Sequence, residues 1–185
     1  MKKNIIIGVT GSVACYKSLD LIRGLRRLGL STEVVLTKEA EEFIRPVLFR
    51  SLSGNKVIRW DMFGLPEEWD VAHISLADRA DLVIIMPATA NIIGKIASGI
   101  CDDMLTCVVC AAKAPVLFVP AMNSGMYENK IVRGNIERLK KAGYYFTGPV
   151  KGKLACGDTG LGHVQDTEII LSEAGRLLKQ NNRGL

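Results

Sequence analysis

The stretch NIIIGVTGSVACYKSLDLIRGLRRLG, residues 4–29, contains the pattern that decides the fold. Residues 4–9 form a short apolar run rich in isoleucine, which predicts a buried strand. After a turn at Gly11, residues 12–29 show helical periodicity and end at Gly29, a residue type that favours a helix C-terminus. The stretch therefore predicts a strand, a turn and a helix in succession.

The same alternation continues along the rest of the chain. Further strands are predicted at residues 31–37, 81–89, 114–123 and 144–150, and helices at 39–54 (interrupted near Pro46), 89–100, 101–113, 127–143 and 166–180. Continuous apolar strands separated by helices indicate a parallel sheet that is covered by helices on both faces. A length of 185 residues fits one domain, so the predicted fold class is α/β, an open parallel sheet in a single domain over residues 1–185.

Composition and charge limit the kinds of partner. Apolar residues make up 48% of the chain and charged residues 23%, which is typical of a globular protein rather than a disordered one. The net charge of +5 is spread without a dense run of Lys and Arg, so we expect neither nucleic acid nor a membrane as a partner. The chain has five cysteines, and its apolar run at residues 5–9 is too short for an export signal. These features predict reduced thiols in a cytoplasmic protein.

Three predicted strands end in turns that favour ligand binding. The turns are GVTGSVA (8–14), IIMPATAN (84–91) and FVPAMNSGM (118–126). In open parallel sheets, ligands bind beyond the carboxyl ends of the strands, where the amides of the following helices favour anions. Residues 11–18 also resemble a phosphate-binding loop, but Tyr16 occupies the second glycine position, where its side chain would obstruct phosphate. A nucleotide triphosphatase is therefore disfavoured.

Two further segments contain cysteines. Cys107 and Cys110 form a C-x-x-C pair inside an apolar helical run, with no second pair and only two histidines in the chain. Buried small hydrophobic residues are favoured there over a metal or redox site, and we predict no metal site. The segment KLACGDTGLGHV, residues 153–164, is rich in glycine and predicts neither helix nor strand, which leaves Cys156 in an irregular, mobile segment.

Four collinear stretches resemble the homo-oligomeric flavin-containing cysteine decarboxylases. They are TGSVACYK (10–17), PATANIIGKIASGICDDMLT (87–106), PAMNSGMY (120–127) and LACGDTGLG (154–162), within a match over roughly residues 4–168. The resemblance implies a Rossmann-like (flavodoxin-like) fold and an FMN cofactor. Within the family it is closest to the members that decarboxylate phosphopantothenoylcysteine in coenzyme A biosynthesis.

The resemblance implies the FMN contacts position by position. The matching positions are Gly11, Ser12, Val13, Thr37, Lys38, Thr89, Ala90, Asn91 and Ala121. The residues themselves support an anion at this place, because hydroxyls and backbone amides at helix N-termini suit a phosphate dianion. For Thr89 the alternative interpretation is a simple helix cap.

The family's catalytic and substrate-binding positions also have counterparts. His73 matches the base, Cys156 the proton donor and Asn123 the residue that binds the substrate carboxylate. Lys153, Leu154 and Ala155 match a segment beside the substrate, in a flap near residues 150–165. His73 also fits a capping or core-edge role, and Asn123 also fits a turn residue.

The reaction that the resemblance implies is FMN-dependent decarboxylation of 4′-phosphopantothenoylcysteine to 4′-phosphopantetheine. Oxidation of the substrate thiol to a thioaldehyde places a C=S group beside the carbon that bears the carboxylate, so loss of CO2 yields an enethiolate, which is then reduced and protonated. Three alternatives stay open: a peptidyl-cysteine (lantibiotic-type) decarboxylase, a flavin prenyltransferase of similar fold, and a non-catalytic FMN-binding regulatory subunit. His73, Asn123 and Cys156 together favour the decarboxylase that completes the reduction.

The resemblance also implies a homo-oligomer, a trimer or a dodecamer, with FMN held between subunits. Many relatives carry a second, synthetase domain, so we expect a phosphopantothenate-cysteine ligase to be a separate polypeptide and a pathway neighbour. Two places depart from the family pattern: Tyr127 stands where Trp is common, and His163-Val164 where Arg-Met is common. The second change removes a guanidinium from the flap, and His163 is the candidate substitute donor.

Overall fold

A six-stranded parallel sheet forms the centre of the computed structural model, which describes residues 2–62 and 72–181. The strands are β1 (Asn4–Val9), β2 (Ser31–Leu36), β3 (Val57–Ile58), β4 (Leu82–Ala88), β5 (Val116–Pro120) and β6 (Tyr145–Phe146). Their order across the sheet is β3-β2-β1-β4-β5-β6. This is the doubly wound order of Rossmann-like folds, which confirms the predicted fold class.

Helices cover both faces of the sheet. One face carries α1 (Ser18–Arg27), α3 (Pro46–Ser53) and α9 (Thr167–Asn181), and the other carries α4 (Ala72–Asp78), α5 (Ala90–Ala97), α6 (Met104–Ala111) and α8 (Lys130–Lys141). Two short helices, α2 (Lys38–Glu41) and α7 (Ser124–Glu128), follow β2 and β5. None of the described helices is both long enough and apolar enough to span a membrane.

The central strands are buried on both faces, which explains their continuous apolar sequence. In β4, Leu82 and Ile84 pack into the cluster beneath α1, α3 and α9, while Val83 and Ile85 pack into the opposite cluster. All four side chains are inaccessible to solvent. Burial of such a side chain contributes roughly 1.5–3 kcal/mol, so the two clusters hold the helices onto the sheet.

The late glycine-rich segment differs from its prediction. Instead of an irregular segment, the structure has an antiparallel hairpin of β7 (Val150–Lys153) and β8 (Thr159–His163). The glycines interrupt the apolar alternation that predicts a strand, but they allow the hairpin to lie close against the body of the protein. The prediction that residues 153–164 contain no strand was therefore wrong at residue 153 and at residues 159–163.

Smaller differences concern short elements. The helix predicted from residue 12 begins as a 3-10 turn over Val13–Lys17 before α1 starts. The strand predicted at residues 144–150 contracts to the two residues of β6. Neither β3 nor α4 was predicted, because a two-residue strand and a two-turn helix are too short to show a period.

Candidate functional site

A cleft of about 300 Å³ opens beyond the carboxyl ends of the strands, at the point where β1 and β4 lie side by side. The chain leaves β1 toward one face of the sheet and β4 toward the other, and this reversal opens a crevice between the two exits. We call it the switch-point cleft. It is lined by Thr10, Gly11, Ser12, Thr37, Glu39, Thr89, Ala90, Asn91, Ile92, Asp103, Ala121, Met122 and Met126.

Three helix N-caps with hydroxyl side chains meet in the switch-point cleft. Ser12 accepts a hydrogen bond from Ala14 N (3.4 Å) at the start of the 3-10 turn, and the Thr37 hydroxyl accepts one from Ala40 N (3.3 Å) in α2. The Thr89 hydroxyl accepts one from Ile92 N (3.4 Å) in α5. The first amides of a helix have no partner within the helix, so their positive ends face the cleft. Such an arrangement favours an anionic group.

Thr10 fixes the two strand exits relative to each other. Its buried hydroxyl donates to the carbonyl of Pro87 (2.7 Å) and accepts from Thr89 N (3.3 Å), so it joins the end of β1 to the start of α5. The neighbouring Gly11 is also constrained, because a Cβ there would lie 2.4 Å from Glu39 Cβ. Sequence reasoning did not identify Thr10; its place at the first residue after a buried strand was the available signal.

Of the two acidic residues that line the switch-point cleft, Asp103 is partly neutralised. The Asp103 carboxylate accepts from Thr106 N (2.8 Å) in a capping box at the start of α6. Lys95 Nζ lies 3.6 Å from Asp103 Oδ2 and 2.8 Å from Asp102 Oδ1. By contrast, Lys38 does not line the cleft: its ammonium lies 5.6 Å from the centre of the Trp60 ring. Its predicted contact with FMN stays a prediction.

A second cleft, of about 580 Å³, lies between the hairpin and the 3-10 turn. We call it the flap cleft. It is lined by Ser12, Val13, Ala14, Tyr16, Lys17, Ala121, Met122, Asn123, Lys153, Leu154, Ala155, Cys156, Gly162, His163 and Val164. Ser12, Ala121 and Met122 line both clefts, so the two form one continuous groove.

Asn123 and Cys156 face each other in the flap cleft. Asn123 caps α7 through Oδ1, which accepts from Gly125 N at 2.8 Å. Its Nδ2 then points at Cys156 Sγ, 3.5 Å away, and the thiol in turn lies 3.6 Å from Asp158 Oδ2. An amide donor and a thiol thus stand side by side at the open surface of the groove.

The base of the hairpin is fixed to the sheet, whereas Cys156 lies at the exposed tip. Met122 N donates to the carbonyl of Gly162 (3.1 Å), and a Cβ at residue 162 would lie only 2.1 Å from Met122 O. At the tip, Leu154 N donates to Asp158 O (2.7 Å) and Gly157 has a φ of +94°. Only a residue without a side chain adopts that φ without strain, so Gly157 sets the turn that presents Cys156.

His73 lies apart from the other predicted residues. It is part of α4, which packs against α6, and its side chain is half-buried. Among the described residues that line the two clefts, His73 does not occur. The fold of one chain therefore brings Asn123 and Cys156 together but leaves His73 outside.

Three of the other four thiols, those of Cys101, Cys107 and Cys110, lie just before or within α6. Cys110 is exposed and Cys107 only half-buried, so the prediction that both are buried was wrong. Desolvation raises the pKa of Cys101 to about 11 and also raises the pKa of Cys107, which makes both thiols poor nucleophiles at neutral pH. Across the described residues, no group of three or more His, Cys, Asp or Glu side chains is arranged to hold a metal ion.

Comparison with known proteins found relatives that match most of this chain. The chain is 42% identical over 171 residues to the coenzyme A biosynthesis bifunctional protein CoaBC of Borreliella burgdorferi, a match that covers 91% of this chain and 43% of that protein. It is 39% identical over 175 residues to the probable phosphopantothenoylcysteine decarboxylase of Streptococcus mutans, covering 94% of this chain and 97% of that protein. The chain thus spans less than half the length of the bifunctional relatives it matches.

Solved structures match over nearly the whole chain. A cysteine-to-serine variant of PPC decarboxylase, complexed with pantothenoylaminoethenethiol, has a TM-score of 0.87 and 28% identity, and the match covers 97% of this chain and 100% of that one. The FMN-dependent cysteine decarboxylase SpaF has a TM-score of 0.84 and 28% identity, with 97% of both chains covered. The model of the family described as Flavoprotein matches residues 1–179, so the chain belongs to the flavoprotein family.

Proposed function

We propose that the protein is a carboxy-lyase that binds FMN and converts 4′-phosphopantothenoylcysteine to 4′-phosphopantetheine in coenzyme A biosynthesis. The observation that carries the proposal is the pairing of Asn123 Nδ2 with Cys156 Sγ at 3.5 Å, in a groove continuous with an anion-binding crevice. The name of the Streptococcus mutans relative supports the same substrate, and the name of the bifunctional relative supports the same pathway.

The switch-point cleft suits the phosphate and ribityl chain of FMN. Its three N-caps offer hydroxyls and helix amides to a phosphate, and Ala121 and Met122 lead from there into the flap cleft. The residues proposed to hold FMN are Gly11, Ser12, Val13, Thr37, Lys38, Thr89, Ala90, Asn91 and Ala121. Bound there, FMN would supply the oxidation of the substrate thiol and the later return of the electrons.

Asn123 and Cys156 have complementary tasks in this reaction. The Asn123 amide donates hydrogen bonds to the substrate carboxylate and holds it beside the carbon chain until CO2 leaves. Cys156 then delivers the proton of its thiol to carbon as the enethiolate is reduced. Lys153, Leu154 and Ala155 lie next to Cys156 in the flap cleft and contact the substrate from that side.

His73 is proposed to act as the base on a substrate bound by a neighbouring copy. Its half-buried side chain lies on α4 and does not line the described clefts of its own chain. A homo-oligomer, a trimer or a dodecamer, would complete the site by placing α4 of one protomer against the flap cleft of the next.

The test has two stages. The purified protein should be yellow or should take up FMN, and the loaded protein should release CO2 from phosphopantothenoylcysteine and give the saturated thiol by mass. A product lacking two hydrogens would favour the peptidyl-cysteine type of enzyme, and peptides ending in cysteine are the matching substrates to try. A protein that binds FMN but releases no CO2 from either substrate would contradict the proposal and favour a regulatory role.

A further inference from the structure

Lys17 and His163 form a cationic pair at one end of the flap cleft, 146 residues apart in the chain. We infer that Lys17, oriented by His163, binds the phosphate monoester at the far end of the substrate and determines the preference of the protein for a phosphorylated substrate. The inference rests on the proposed function, which supplies the identity of the substrate.

The hydrogen bonds around His163 orient the pair. His163 Nδ1 lies 2.9 Å from the carbonyl oxygen of Val164, which can only accept, so Nδ1 carries a proton. In the neutral ring Nε2 is then an acceptor, and Lys17 Nζ lies 3.4 Å from it. The ammonium uses one N–H on the ring and has two others to offer to a ligand in the cleft.

The charge of the flap cleft favours an anion. Among the described residues, two lysines and one histidine line it and no carboxylate does. Lys17 is half-buried, and it takes part in none of the ion pairs between described residues. A half-buried ammonium without a carboxylate partner has lost part of its hydration, and hydrogen bonds to an anionic ligand would offset that cost. The nearby Asp158 carboxylate faces Cys156 instead.

The position of the pair agrees with the length of the substrate. Cys156 lies at the tip of the hairpin and His163 at the far end of β8, and the four residue steps from Thr159 to His163 span roughly 14 Å. Phosphopantothenoylcysteine has its cysteine at one end and its phosphate at the other, and two amides lie between them. When extended, the substrate is about as long as four residues of polypeptide, or roughly 14 Å. Val13 and Val164 line the cleft and suit the dimethyl carbon in between.

A comparison of two substrates tests the subsite. For Lys17→Gln, we expect KM for phosphopantothenoylcysteine to rise about 10- to 100-fold with little change in kcat, as loss of a hydrogen bond to a charged group requires. His163→Leu removes the group that orients Lys17 and should raise the same KM in the same direction. KM for the unphosphorylated pantothenoylcysteine should stay within about twofold, and Lys17→Arg should keep the preference. Lys151→Gln, on the exposed side of β7, is the control. Equal losses for both substrates, or no loss, would overturn the inference.

A binding measurement separates this inference from the proposed function. The chain has two histidines, so a protein labelled with ¹³C in its histidine rings gives two ring signals, which His163→Leu assigns. In the FMN-loaded protein, inorganic phosphate should shift the His163 signal saturably, and Lys17→Gln should weaken that binding about tenfold or more. If neither substrate reacts but the shift occurs, the proposed reaction fails and the anion subsite stands. If phosphate does not shift the His163 signal, the proposed phosphate subsite is contradicted.

Discussion

Asn123 Nδ2 lies 3.5 Å from Cys156 Sγ, although 33 residues separate the two in the chain. Each is held by its own local structure: Asn123 caps the short helix after β5, and Cys156 lies in the turn of the β7–β8 hairpin. The two meet because the base of that hairpin is bonded to Met122, the residue before Asn123. Residues 122 and 162 therefore determine the geometry of the pair.

Replacement of Cys156 by serine should separate the two halves of the reaction. The variant should bind FMN and release CO2 but accumulate the enethiol, since serine is a far weaker acid than a thiol. Formation of the saturated thiol should fall by at least about 100-fold, as expected for loss of a general acid. Product mass over time measures both, and Cys110→Ser, an exposed thiol outside the groove, is the control. Normal formation of the saturated product would refute the role of Cys156.

Mixed oligomers test whether His73 acts on a neighbouring site. His73→Asn and Cys156→Ser should each form little saturated product alone. Subunits of both kinds, mixed in one oligomer, should regain activity, because roughly a quarter to a third of the sites would combine an intact His73 with an intact Cys156 from two chains. The check is co-expression with two different tags and purification over both. If the hybrids are as inactive as the single variants, then either His73 and Cys156 act within the same chain or His73 has no role in the reaction.

Thr89→Ala should weaken FMN binding beyond its effect on stability. The change removes the cap of α5 and a hydroxyl in the switch-point cleft, and loss of a cap lowers the free energy of unfolding by about 1 kcal/mol. We expect the dissociation constant for FMN to rise about tenfold, measured by flavin fluorescence. Asn129→Ala, which removes the cap of α8 outside both clefts, should lower stability similarly and leave FMN affinity unchanged. Equal FMN affinities in the two variants would contradict an FMN contact at Thr89.

Gly162→Ala should detach the flap. The added Cβ would lie 2.1 Å from Met122 O, a contact that forces the backbone apart, at a cost of about 1–3 kcal/mol of unfolding free energy. Turnover should fall while FMN stays bound. Gly134→Ala is the matched control, since its Cβ would meet nothing within 4 Å inside α8, where alanine favours the helix by up to about 1 kcal/mol. Unchanged turnover in Gly162→Ala would show that the base of the hairpin does not position Cys156.

Glu33 should make stability depend on pH. Its hydrogen bond from Arg79, and a weaker one from Asn4, lower the pKa of this half-buried carboxyl. The folded pKa is below the unfolded one, so Glu33 stabilises the protein fully above pH ~4.3 and loses that contribution as the pH falls through the folded pKa. Glu33→Gln should therefore lower unfolding free energy more at pH 7 than at pH 3.5 in urea titrations. Equal losses at both pH values, or the same pattern in the exposed Glu168→Gln, would contradict this.

The sequence by itself determined the sheet and the chemistry at its edge. Buried parallel strands are continuous apolar runs, so β1, β2, β4 and β5 were readable from local composition alone. The polar turns that follow such strands must meet at one edge of the sheet, which predicted the cleft around Ser12 and Thr89, whereas Thr37 came from the family resemblance. These are local signals, within reach of a single stretch of chain.

Only the tertiary structure decided which distant residues meet. No periodicity predicts that Lys17 contacts His163, that Cys110 is exposed, or that a glycine-rich segment forms the β7–β8 hairpin. Those outcomes depend on packing between elements, such as the close approach of Gly162 to Met122. The same packing separates His73 from the groove of its own chain, because α4 lies against α6 on one face of the sheet while the flap closes over its edge.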